Sequence, residues 1–241
     1  MGKATREAYG NALARIGKEN TNIIVLDADL SKSTKTDTFK TVCPERFFNV
    51  GIAEQNLISV GAGLAAAGKI PFVSSFSMFA TGRAFEQIRN AVCYPKLNVK
   101  VCATHAGITV GEDGATHQSL EDISCMRTLP NMTVVVPADE RETEAVIEWA
   151  ASYNGPVYVR LGRAGVDDVT TEGYSFVPGK STILVDGSDA TIIACGALVG
   201  PAVEASKTLS ESNISARVIN MASIKPIDAE AIIKAAAETG A

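Results

Sequence analysis

The sequence predicts an α/β protein: a doubly wound, mostly parallel sheet followed by a second, incomplete α/β domain. Short β-branched runs alternate with stretches of helical period along the first 163 residues. Those runs are almost continuously apolar, as strands covered by helices on both faces are. The texture then turns polar near residue 164 before a second, shorter alternation begins. Element by element, the strand candidates are "NIIVLDA" (22–28), "FFNV" (47–50), "PFVSSF" (71–76), "VKVCATH" (99–105), "TVVVP" (133–137) and "PVYVRL" (156–161). Helical spacing of apolar residues falls at 3–18, 54–67, 79–93, 119–129 and 139–151. "AGVDDVTTEGYSFVPGK" is aperiodic and punctuated by Gly and Pro, which places a linker at 164–180 between a domain over 1–163 and another over 181–241. In the second, "STILVDG", "ATIIACG" and "ARVINM" read as strands, with helices over 200–211 and 228–239. That is short for an independent α/β domain and leaves an open parallel edge. Two readings stay open: a fragment, or a sheet that something else completes.

Composition narrows the function classes. Apolar residues make up 46% and charged residues 20% of the 241, ordinary for a soluble globular chain, and the net charge of −5 argues against a nucleic-acid surface. The five cysteines are odd in number and show no C-x-x-C spacing, so they read as reduced, small apolar residues of a cytoplasmic protein. The opening "MGKATREAYGNALARIGKEN" is a charged amphipathic helix without the apolar stretch of a secretory signal, and Arg6 stands where a myristoylation motif needs Ser or Thr. "NLISVGAGLAAAGKIPFV" is too interrupted by Gly, Lys and Pro to span a membrane.

Parallel sheets bind ligands at the carboxyl ends of their strands. There the sequence collects Asp27 and Asp29 after the first strand, Glu54 after the second, Phe76 and Phe79 after the third, His105 at the end of the fourth and Arg163 after the last. The loop "THAGITVGEDGATHQ" (104–118) holds both histidines of the chain, twelve positions apart, around a Glu-Asp pair fenced by glycines. His105, Glu112, Asp113 and His117 fit no metal-ligand spacing; hydrogen bonding to hydroxyls or phosphate with proton transfer near neutral pH suits them, beside a purely structural reading. Glu54 opens a helix, so a capping carboxylate and a semi-buried acid tuned by its ligand are both open readings. Gly61-Ala62-Gly63-Leu64-Ala65-Ala66 matches a dinucleotide fingerprint but lies two turns into that helix, where close packing explains the glycines. "FSMF" with Arg83 reads by itself as core.

Taken together and in order, "DADLS", "GIAEQN", "FSMF" and "GEDGATHQ" resemble the pyrimidine-binding domain of the transketolase family over roughly residues 4–240. The resemblance implies the thiamine diphosphate pyrimidine-domain fold and the C-terminal half of a split transketolase, a transferase of carbohydrate metabolism. It implies that Glu54 is the catalytic glutamate that hydrogen-bonds the cofactor's pyrimidine, that Phe76 and Phe79 flank that ring, and that Asp29 is the acid near the cofactor. It further implies that His105 and Asp113 bind sugar hydroxyls, that His117 shuttles protons at the reacting centre, and that Arg6, Ser33 and Arg163 hold the sugar phosphate.

Two departures accompany it. Many transketolases carry a third aromatic after the two phenylalanines, where this chain has Gly82 and then Arg83, a residue that could reach a substrate instead. There is also no G-D-G with a downstream Asn, the pattern that holds magnesium and the diphosphate, so the Mg2+ ligands are expected on a partner, an N-terminal transketolase subunit, in an α2β2-like assembly. The competing readings are a 1-deoxyxylulose-5-phosphate synthase-like enzyme, a 2-oxoacid dehydrogenase β-subunit-like enzyme and a non-catalytic paralogue. The histidine pair favours phosphorylated sugars over 2-oxoacids.

Overall fold

A computed structural model describes residues 2–241. The chain order is α1 Thr5–Glu19, β1 Ile23–Asp27, α2 Ser31–Thr34, α3 Asp37–Val42, β2 Phe47–Asn49, α4 Glu54–Ala66, β3 Ile70–Ser74, α5 Phe85–Gln87, β4 Lys100–Ala103, α6 Asp122–Thr128, β5 Thr133–Val135, α7 Glu140–Ser152 and β6 Val157–Arg160. The second part adds β7 Thr182–Val185, β8 Ala190–Ala194, α8 Val199–Glu211, β9 Ala216–Asn220, β10 Ser223–Lys225 and α9 Ala229–Glu238. Among the described residues the strands make a seven-stranded sheet, order β10-β5-β6-β4-β3-β1-β2, and a three-stranded one, order β7-β9-β8.

The large sheet is parallel except at β10, which runs antiparallel to β5. Its strands alternate between two apolar layers, as a period of two requires. Ile24, Leu26, Val73 and Val101 pack with Leu57 and Ile58 of α4 and with Ile88 and Met126. Ile23, Val25, Phe72, Val157 and Val159 pack on the other face with Tyr9 and Leu13 of α1, Phe39 of α3 and Val146 and Ile147 of α7. Burial on both faces is why these strands lack an apolar–polar alternation.

Several elements differ from the sequence expectation. The span 79–93 is helical, but largely as π-helix at Phe79–Arg83 and Ile88–Cys93. α2 and α3, too short to show a period, fill the segment after β1. β10 is too brief to stand out, yet it carries the C-terminal part back onto the large sheet, and Lys225 Nζ donates to Arg127 O and Leu129 O at 2.8 and 2.5 Å. In the small sheet β7 is antiparallel to β9, while Ile183 and Ile193 remain exposed. Of the two glycines in the decoy fingerprint, Gly61 does serve packing, since a Cβ there would lie 2.8 Å from Val73 Cγ1; Gly63 faces open space and needs no such account.

Buried acids at the start of α7 stitch the two parts together. Asp139 caps the helix by accepting from Glu142 N at 2.9 Å and also takes Thr170 N at 2.7 Å and Val169 N at 2.8 Å. Glu142 accepts from Ala138 N, Tyr174 Oη and Asn220 Nδ2. Asp139→Ala removes a cap and strands two backbone donors, so urea unfolding should show a loss of about 3 kcal/mol. Amide exchange at Val169 and Thr170 should rise in the same variant; unchanged protection there would mean that Asp139 does not hold the connecting segment.

Candidate active site at the carboxyl rim of the large sheet

Past the ends of β3 and β4 the backbone ladder continues by one bridge: Thr104 N donates to Ser75 O at 3.1 Å and Ser77 N to Thr104 O at 2.7 Å. This sets Ser75, Phe76 and His105 side by side on the rim. Ser75 Oγ donates to Glu54 Oε1 at 3.2 Å, and Phe76 stacks on the His105 imidazole with centroids 3.8 Å apart. His105 sits at φ 59°, a left-handed conformation costly for a residue with a Cβ. Flanking bonds from Ala106 N to Leu161 O and from Gly107 N to Ser119 O hold the backbone on either side of that turn.

Glu54, at 1% exposure, is the first residue of α4, yet its carboxylate makes no cap to that helix. It turns inward to Ser75, and its Oε2 accepts from Arg83 Nη1 at 2.6 Å. The capping reading is thereby replaced by that of a buried acid facing the rim. Phe76 and Phe79 lie near-parallel, 13° apart with centroids at 6.1 Å, and His117 meets Phe79 edge-on at 5.1 Å. Thr104 Oγ1 and Thr116 Oγ1 orient the two imidazoles through their Nδ1 atoms, each at 2.9 Å. Because a guanidinium only donates, Arg6 Nη1 at 3.5 Å makes His105 Nε2 the acceptor and leaves the ring proton on Nδ1.

Burial first, and then the positive charge of Arg6, lowers the His105 pKa from 6.5 to about 4; Asp113 opposes this, and Arg163 adds a smaller lowering. Burial likewise lowers that of Arg6, whose Nε is buried without a partner. Arg6 Nη1 donates to the carbonyl of Ser33, not to its hydroxyl. Arg163 donates to Val110 O at 2.8 Å and Glu112 Oε1 at 3.1 Å. Gly111, at φ 89°, makes that possible, because a Cβ would lie 2.1 Å from Arg163 Nη1.

Asp29 is exposed and accepts from Asn49 Nδ2 at 2.7 Å, while Asp113 is exposed on the loop. The structure thus brings Glu54, Phe76, Phe79, His105, His117 and Arg6 into one chain of contacts. Arg163 and Asp113 join it electrostatically at His105; Ser33 joins through its backbone, and Asp29 stands apart with Asn49. Sequence reading overlooked Ser75, Thr104 and Asn49, ordinary polar residues made special by the strand ends that carry them. Asp27 is structural: fully buried, it accepts from Leu30 N, Thr34 Oγ1 and Thr36 Oγ1. Among the described residues no three His, Cys, Asp or Glu come together as a metal site, and no helix is long and apolar enough to cross a membrane. A cavity of about 270 Å³ lies further along the same carboxyl edge, past β5 and β6, lined by Ala106, Pro137, Arg160, Gly162, Gly196 and Pro201; Glu54, Phe76 and Phe79 do not line it.

A parallel-sheet rim with a buried glutamate, two stacked phenylalanines and paired histidines gives this α/β fold a candidate ligand site. Family comparison makes the assignment specific. Residues 1–167 match the transketolase pyrimidine-binding domain and residues 179–241 the transketolase C-terminal domain. The chain belongs to the transketolase family. It is 56% identical over 234 residues to a protein of Methanocaldococcus jannaschii described as a transketolase C-terminal section, covering 96% of this chain and 74% of that one. It is 41% identical over 238 residues to one subunit of an apulose-4-phosphate transketolase from Phocaeicola vulgatus, covering 98% and 76%. A solved split-gene transketolase, an inactive β4 tetramer, superposes with a TM-score of 0.92 at 57% identity, over all of this chain and 78% of that one.

The low His105 pKa makes the site acid-sensitive. Between 6.5 and about 4 the folded chain binds fewer protons here than the unfolded chain, so this contribution is complete above 6.5 and is lost as pH falls through that window. Urea midpoints taken from pH 7 to 4.5 should fall less steeply for His105→Asn than for the parent chain; equal slopes would place the acid sensitivity elsewhere.

Proposed function

We propose that this chain is the pyrimidine-binding subunit of a thiamine diphosphate-dependent transketolase that moves a two-carbon ketol unit between phosphorylated sugars. In this reading residues 1–163 form the pyrimidine-binding domain, 164–180 a linker and 181–241 a partial C-terminal domain. A separate N-terminal subunit contributes the diphosphate and Mg2+ site, in an α2β2-like assembly, and the chain alone is inactive. The five cysteines, all free, suit a reducing cytoplasm.

The observation that carries the reading is the Glu54 carboxylate, 1% exposed, facing a rim where Phe79 presents a ring beside His117, and Phe76 meets both imidazoles. A flat heteroaromatic ring with an edge nitrogen needs that combination of a buried acid and an aromatic face, so the residues present fit the cofactor. Thiamine diphosphate, when bound, supplies the electron sink for carbon–carbon bond cleavage. Glu54 then holds a proton at Oε2 against the ring edge, and Ser75 fixes the other carboxylate oxygen. His105, neutral and oriented by Thr104, hydrogen-bonds sugar hydroxyls without adding charge, with Asp113 nearby. His117 meets the edge of Phe79, where its imidazole can pass a proton at the reacting centre. Arg6 and Arg163 supply guanidinium forks for a phosphate, Ser33 lies beside Arg6, and Asp29, just past the carboxyl end of β1, is the acid near the cofactor.

Ketol transfer from xylulose 5-phosphate to ribose 5-phosphate, with thiamine diphosphate and Mg2+, tests this directly. Turnover is expected only when the chain is mixed with a diphosphate-binding transketolase half from the same source; turnover by the chain alone would defeat the subunit assignment. In the mixture, Glu54→Gln should cost on the order of 10²–10⁴ in kcat. Arg6→Ala should act mainly on KM for the phosphorylated acceptor, raising it roughly 10-fold or more while kcat changes less.

A further inference from the structure

Arg83 is the residue of the rim that the proposed mechanism does not use, and its placement is unusual. Its guanidinium donates to Glu54 Oε2 at 2.6 Å and at the same time lies over the Phe79 ring, 4.8 Å from the centroid. These are the two contacts, one to the acid and one to the aromatic face, that the proposed function reserves for the cofactor's pyrimidine. A guanidinium is flat, donates from its edge and stacks on its face, so it can satisfy both groups as an aminopyrimidine would.

We propose that Arg83 is a built-in surrogate for the pyrimidine ring: it occupies Glu54 and Phe79 until the cofactor displaces it. This inference rests on the function proposed above and assigns a residue that function leaves idle. Glu54 is 1% exposed, and a carboxylate buried that deeply without a partner is costly, so the empty subunit needs a counter-ion there. A permanent cation would defeat the site, because it stabilises the anion, whereas the acid must offer a proton to a neutral ring nitrogen. The counter-ion therefore has to be able to leave.

Arg83 is built to leave. Its side chain is 49% exposed, against 1% for Glu54. It ends the π-helical stretch Phe79–Arg83, whose wide turns recur at functional sites, and Ala84 follows in a non-helical conformation. The tie from Gln55 Nε2 to Arg83 O, at 3.4 Å, is long and exposed. Gly82, which has no side chain to stack, leaves the guanidinium free of a competing ring.

The test is a calorimetric titration of thiamine diphosphate with Mg2+ into the complex of this chain with its diphosphate-binding subunit. Removing the surrogate removes a competitor, so Arg83→Ala should lower the apparent Kd by about 10-fold or more. A residue that merely supports the site, or that holds the cofactor, would give an unchanged or raised Kd, and either result overturns the proposal. Arg83→Gln keeps a polar side chain but removes the charge and the reach of the guanidinium, and should also tighten binding, which covers a failure of the alanine variant to fold. Thermal melts of the isolated chain give the second readout. Arg83→Ala should melt lower than the parent at pH 7, and the difference should vanish in a Glu54→Gln background; persistence of the difference there would mean that Arg83 does not serve as the counter-ion. Activity of the Glu54→Gln complex separates the two readings: wild-type-like turnover removes the assignment of Glu54 itself, whereas lost turnover with no change in Kd for Arg83→Ala removes only the surrogate.

Discussion

The rim depends on two backbone hydrogen bonds, Thr104 N to Ser75 O and Ser77 N to Thr104 O, which carry the ladder one bridge beyond β3 and β4. They hold the carboxyl ends of neighbouring strands at sheet spacing where the strands would otherwise splay into loops. The consequences are all side-chain geometry. Ser75 reaches Glu54, Phe76 meets His105 face to face, and Ser77 Oγ reaches Tyr158 Oη at 2.9 Å in the layer below. Once Thr104 is fixed there, the chain must turn sharply to start the glycine-rich loop, and His105 takes the left-handed conformation at that turn. Backbone strain in a buried imidazole is tolerated because a sheet on one side and Leu161 on the other leave it little alternative.

Three buried carboxylates near this rim show how environment separates structure from chemistry. Asp27 is saturated by one amide and two threonine hydroxyls; burial raises its pKa and those bonds oppose the shift. Asp122 accepts from Arg160 Nε and Tyr158 Oη, both at 2.7 Å, and Arg160 is a strand residue with a mostly buried side chain. Both acids are locked, with no partner that can be exchanged without unmaking the core. Glu54 differs in kind: one immobile hydroxyl holds one oxygen, and a half-exposed arginine at the end of an irregular helix holds the other. A partner that can leave is what a ligand-responsive acid requires.

The sheet was legible because burial on both faces writes continuous apolar strands, and the large helices because α1, α4 and α7 each carry a packed stripe. β10 was not, since three residues show no period and its pairing with β5 is decided by tertiary contact. The π-helical character of 79–93 escaped for a related reason: an inserted residue widens a turn without changing which side chains are apolar. In the site, position along the strands located Glu54, Phe76, Phe79 and His105, because a parallel sheet delivers its strand ends to one rim whatever the loops do. Sequence could not tell that Glu54 looks inward and not along its helix, nor that Ser33 faces Arg6 with its carbonyl, because both depend on side-chain or backbone direction after folding.

The arrangement also explains why such a site suits an interface. The rim is open on one side: Glu54, Phe76 and His105 are buried, but Phe79 and Arg83 are partly or half exposed, and Asp29 and Asp113 lie at the surface. A buried acid gains its chemical leverage from low polarity around it, which an open rim gives only on the protein side. A second surface closing over Phe79 would exclude water from the remaining side and strengthen the hydrogen bond at Glu54 Oε2. The C-terminal part belongs to the same framework, since β10 pairs with the large sheet and Asn220 reaches Glu142 of α7 from β9.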